Sequence, residues 1–399
     1  MKKNLNADAL VLDLRHLTEE TLSSYENITL NATVTLTNPA AQALLSRYNV
    51  KLDTMASCNV PDEVRASVVN GKTTLTAADK SEKRQVLVVN GKITLTPDAA
   101  DTLRQYEAIV LNGKAYCPQS LASLFHEVAI INGKLVTYPD EAVVLSGRSV
   151  KLDRTFLLRA KNCLYWTERM FVAVDPKLDA AALAAKGCRF TAPKALLSES
   201  LAEPLAQLFS DDTELVILPD GTAVVDDDLD LTAASSRSYG SRLYVLGDVT
   251  FSDDCADALR KLEFFHVSGT VTLPAALEEA FYAIPDAAFD DLRILSGHLL
   301  HGLPLLKLTN DFLTDHPEGI ACIDCACVTL DEALLPDDIA KRCQFDGCAL
   351  IRCSERQQNA VASVSRNVAQ IITTGQKDGP LNGLFDANTT SLNALQLTL

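Results

Sequence analysis

Six of the chain's eleven cysteines gather near its C-terminal end, at Cys322, Cys325, Cys327, Cys343, Cys348 and Cys353. Thiolates at close spacing can ligate zinc or carry redox chemistry. Structural zinc sites usually pair two Cys-x-x-Cys knuckles, and this segment holds one, Cys322-x-x-Cys325. Aligned on the repeat described below, Cys322 falls opposite Cys343 and Cys327 opposite Cys348, each 21 residues apart. That alignment makes the first pair core packing. It leaves Cys325, Cys327 and Cys348 at turns, as the alternative zinc or thiol site.

Other chemical groupings are weaker. Ala66-x4-Gly71-Lys72-Thr73 matches a relaxed phosphate loop, but such a loop needs a helix directly after its lysine, and the pattern here predicts a strand. His298-x-x-His301 has no third ligand at suitable spacing along the chain, and Asp226-Asp227-Asp228 with Asp230 lacks the glycine of a calcium loop. No nucleophile elbow, zinc-protease or dinucleotide motif occurs. The expectation is a protein that is not an enzyme and carries no cofactor.

The elements that would position these residues follow from a repeat. Asn-Gly-Lys recurs at 70–72, 90–92, 112–114 and 132–134, so its glycines are 20, 22 and 20 residues apart. A fixed period of that length marks short units that stack because none buries its apolar face alone. Around Gly91 the residues two and four positions away are Leu87, Val89, Ile93 and Leu95; around Gly247 they are Leu243, Val245, Val249 and Phe251. Apolar alternation on both sides of a glycine predicts two short strands or one bent strand with one face buried. Prolines such as Pro97, Pro118 and Pro274 follow, and Thr96 suits a helix N-cap. Each unit therefore reads as strand, turn, strand, short helix.

Strand, turn, Leu-Pro or Thr-Pro, then Leu-x-x-Leu spacing, as in Leu103-x-x-Tyr106-x-x-Ile109-x-Leu111-x-Gly113 running into Cys117-Pro118-x-x-Leu121-x-x-Leu124, resembles leucine-rich repeats. The resemblance implies an α/β repeat solenoid of alternating short strands and helices, and a partner-binding scaffold rather than an enzyme. It supplies no catalytic residues. A parallel β-helix-like solenoid is the alternative. The organisation expected is a first solenoid block over 1–146 and an irregular basic and aromatic insertion over 147–185. A second block follows over 186–353, then a capping or flexible tail over 354–399.

Asparagines one position before each glycine can hydrogen-bond from rung to rung. Lysines one position after form a cation column at Lys72, Lys92, Lys114 and Lys134, continued by Arg148 and flanked by Arg154 and the sole tryptophan, Trp166. Like charges at rung spacing must splay into water or meet an anionic surface. These seven residues form the expected partner site, for a protein with an acidic surface. A formal net charge of −16 argues against nucleic acid, and no run of about 20 apolar residues spans a bilayer. Charges interrupt residues 1–17, so no secretory signal is read there, and the odd cysteine number fits a reducing cytoplasm. Self-association through open strand edges is a third possibility.

Overall fold

The computed structural model describes residues 3–48, 50–80, 83–373 and 389–398. It is an α/β fold of short parallel strands in several sheets, joined by short helices. Two compact units form, one from Met1–Val144 with Pro380–Leu399 and the other from Leu145–Gly379.

The first unit holds two parallel sheets. One runs in the order Thr389–Thr398, Lys3–Asp13, Tyr25–Thr37, Val50–Asn59. The other runs Arg65–Leu75, Gln85–Leu95, Tyr106–Pro118, Ala129–Tyr138. In the second sheet the Asn-Gly-Lys triplets pair in register across all four strands. Their glycines take φ between +108 and +145°, so the chain bends without leaving the ladder. The two arms flanking each glycine are consequently one strand here.

Burial explains why a simple alternation fails in part of this sheet. Leu87, Val89, Ile93 and Leu95 pack with Leu103, Ile109, Leu111 and Phe125, as the spacing predicts. Val86, Val88 and Val110 are buried as well, on the opposite face, where they join Val11, Val34 and Leu36 of the first sheet. The arm before the glycine is thus covered on both sides and reads as a continuous apolar run. Each such aliphatic side chain contributes about 1.5–3 kcal/mol on burial.

In the second unit the arms more often separate into two strands. Arg242–Val245 and Val249–Phe251 flank Gly247, and Leu243, Val245, Val249 and Phe251 are all fully buried. The last rungs form two four-stranded sheets. His298–His301, Ile320–Ile323, Cys343–Asp346 and Ser365–Arg366 make one; Leu306–Leu308, Cys327–Leu330, Leu350–Cys353 and Gln370–Thr373 make the other.

Three expectations change. The stretch 147–185 is not irregular: strands Leu164–Thr167 and Met170–Ala173 pair in parallel with Arg189–Thr191 and Lys194–Ser198. Past Ser354, helix Gln358–Ser363 leads to strand Gln370–Thr373, which pairs in parallel with Leu350–Cys353, while Thr389–Thr398 pairs in register with Lys3–Asp13. Residues 374–388 of the expected tail lie outside the described residues. Thr96 caps no helix, because the helix starts later, at Ala100–Leu103; its hydroxyl instead lies between the Asp98 carboxylate and Leu75 O, the latter at 3.2 Å. True N-caps occur at Thr18, Asn38, Asp153, Asp179 and Thr309, each accepting the backbone N–H three residues on. Among the described residues no helix is long and apolar enough to cross a membrane.

Candidate functional site

The bend of the second sheet carries two aligned columns. Asn90 Nδ2 donates to Asn70 Oδ1 at 2.9 Å, Asn112 to Asn90 at 2.9 Å, and Asn132 to Asn112 at 3.3 Å. An equivalent step in the first sheet links Asn31 Nδ2 to Asp8 Oδ1 at 2.8 Å. An internal amide in this ladder both donates and accepts. Asn112→Ala removes two hydrogen bonds at a half-buried position, and we expect it to cost about 2 kcal/mol, read as a shift in the urea midpoint.

Next to the amides, Lys72, Lys92, Lys114 and Lys134 stand in register. Lys72 and Lys134 are exposed, Lys92 and Lys114 half-buried. Lys92 Nζ lies 4.2 Å from the centre of the Tyr116 ring, and Lys114 Nζ lies 5.9 Å from it. The ring's negative face thus offsets part of the repulsion within the column. Lys72 sits inside strand Arg65–Leu75, with no helix directly after it, so the Gly71-Lys72-Thr73 match lacks the geometry of a phosphate loop.

The other members of the expected partner site lie outside this sheet. Arg148 belongs to the second unit, where its guanidinium pairs with Asp227 at 2.5 Å. Arg154 is exposed at the start of helix Arg154–Arg159, also in the second unit. Trp166 is 8% exposed and so is no surface anchor. Its neighbours Tyr165 and Phe171 are core residues too. Burial rather than recognition accounts for the aromatic enrichment of this segment.

The cysteines are also rearranged. Ile320, not Cys322, lies opposite Cys343, and Cys327 lies opposite Leu350. The rung here is 23 residues long, two more than the cysteine alignment assumed. Cys325 and Cys348 are fully buried rather than at exposed turns. The interaction between the Cys325 and Cys348 thiols holds Cys325 below its ordinary value despite burial and raises Cys348. Burial lifts Cys343 to about 11. Among the described residues Cys325, Cys327 and Cys348 do not bring three sulfurs within 4.8 Å of one another.

The acidic run is structural as well. Asp228 Oδ1 accepts the Asp248 N–H at 3.0 Å, and Asp248 Oδ1 accepts the Thr270 N–H at 2.7 Å, carrying side-chain bonds from rung to rung.

One grouping escaped the sequence reading. His298 lies on strand His298–His301, and its ring stacks on His316 with centroids 4.1 Å apart and planes 9° apart. His316 C-caps helix Asn310–Asp315, and its Nδ1 lies 3.3 Å from Glu318 Oε1. The Glu318 backbone N–H and then His316 hold that carboxyl below its ordinary 4.5. His298 Nδ1 donates to Asp253 at 3.1 Å. A groove of about 400 Å³ alongside is lined by Asp230, Ser252, Asp253, His298 and His301. A search along the chain misses this set because His316 and Glu318 arrive nearly one full repeat after His298.

Compared with protein-family models, with curated proteins and with solved structures, the chain matches none.

Proposed function

We propose that the chain is a cytoplasmic, non-enzymatic scaffold of stacked repeats, a solenoid similar to leucine-rich repeats, whose lysine column binds the acidic surface of a partner protein. The observation that supports this reading is the in-register pairing of Asn-Gly-Lys across four parallel strands. At the usual strand spacing the four lysines cover about 15 Å, a length that suits a protein surface better than a small substrate. Stacked units of this kind present extended regular faces, and the acidic balance of the rest of the chain disfavours nucleic acid on that face.

Replacing Lys92, Lys114 and Lys134 together by Glu tests the reading. A protein that co-purifies at fixed ratio with the wild-type chain should be lost from the variant and released from wild type by salt, with the circular dichroism of the variant unchanged. Equal capture by the two forms would overturn the proposal.

A further inference from the structure

We propose that His298, His316 and Glu318 form a binding site for a divalent transition metal ion. One ligand atom from each lies within 4.8 Å of the others, the one such three-residue group among the described residues. Two imidazoles and a carboxylate are the donor set that suits zinc, nickel, cobalt and copper rather than calcium or magnesium. Ligands on one tetrahedral ion at bonds of about 2.1 Å stand about 3.4 Å apart, so closing the set brings the donor atoms about 1 Å nearer and turns one imidazole out of the stack, because parallel rings cannot both point a lone pair at one ion. Side-chain rotation supplies that, since Glu318 is exposed and both rings are half-buried at the surface.

The backbone beneath the site is held more firmly. The His298 N–H donates to Gly319 O at 2.8 Å, and the Gly319 N–H donates to His316 O at 3.0 Å. Arg342 Nη2 donates to the same His316 carbonyl at 3.0 Å. Two segments separated by most of a repeat are thus locked side by side before any ion arrives. Gly297 reinforces this, because a Cβ there would fall 2.5 Å from the Gly319 carbonyl carbon. Phe312 packs on the His316 ring at 4.9 Å between centroids.

Asp253 supplies the outer layer. Its carboxylate accepts from His298 Nδ1, which leaves Nε2 as the nitrogen with a free lone pair. A carboxylate behind a ligating histidine fixes its tautomer and makes it more basic. The neighbouring groove leaves space for water or a further ligand on the ion. Three protein ligands with an open position are the arrangement of zinc sites that keep a water or a substrate as the fourth ligand.

The full-length chain titrated with Zn²⁺ alone, by calorimetry and native mass spectrometry, tests the site. The expected result is one ion per chain, with affinity reduced at least ~10-fold by His298→Ala and by His316→Ala, and by a similar factor in Asp253→Asn. Co²⁺ in place of Zn²⁺ should give a d–d spectrum without a thiolate charge-transfer band. No stoichiometric binding would overturn the proposal. So would binding that survives both histidine substitutions, or that disappears in Cys325→Ser and brings a thiolate band.

Discussion

Gly113→Ala should unfold the sheet it sits in, while Gly71→Ala should leave that sheet folded. Both glycines occupy the same place in the repeat and both have positive φ, +140° and +108°. They differ in what lies beneath them. A Cβ on Gly113 would stand 2.0 Å from Gly91 O, and the obstacle is backbone that other rungs hold in place. A Cβ on Gly71 meets nothing within 4 Å, because its strand is the first of that sheet. Alanine at Gly71 therefore carries conformational strain alone, about 1–2 kcal/mol. Alanine at Gly113 adds an overlap that only a separation of the rungs can relieve, and we expect a loss above about 4 kcal/mol. Hydrogen exchange over strands Arg65–Leu75 through Ala129–Tyr138 is the measurement, since Trp166 fluorescence reports on the other unit. Equal losses at the two positions would show that this contact does not set the spacing of the sheet.

That contrast also shows why the register of this sheet is legible in the sequence. Each rung repeats one local solution, so Asn, Gly and Lys must align or every column fails at once. The same logic weakens where the repeat unit changes length. Counting 21 residues placed Cys322 against Cys343, while the structure places Cys322 against Phe345. A shift of two keeps side chains on the same face, and Cys322 and Cys343 are both buried. Face was readable there and partner was not.

Site assignment was less legible for a similar reason. The lysine column depends on identical offsets within each repeat, and those offsets survive folding. The basic and aromatic stretch after Gly147 offered composition without an offset. Tyr165, Trp166 and Phe171 alternate too little to reveal a face, because strands there are four residues long and their central residues are covered. His298, His316 and Glu318 meet through a helix end and a turn. Neither has a period from which to count.

The aromatic cluster of that stretch carries the second large effect. Phe190 is fully buried, and its ring lies 5.1 Å from Phe171, 5.3 Å from Phe209, and 5.8 Å from both Phe156 and Tyr165. These five rings come from helix Arg154–Arg159, from strands Leu164–Thr167, Met170–Ala173 and Arg189–Thr191, and from the Phe209 bridge, so Phe190 ties successive rungs together. Removing it leaves a cavity that four large side chains on separate elements cannot jointly collapse into. Phe190→Ala should cost about 4–5 kcal/mol, with the lost ring pairings adding to the transfer term. Trp166 pairs with Thr191 on the neighbouring strand, so its fluorescence follows this region in urea. Leu158→Ala is the control: that side chain is 73% exposed on helix Arg154–Arg159 and its loss should change the midpoint little. A shift of under about 1 kcal/mol for Phe190→Ala would mean that the segment is the loose insertion its composition suggests, and that its rings are available to a partner after all.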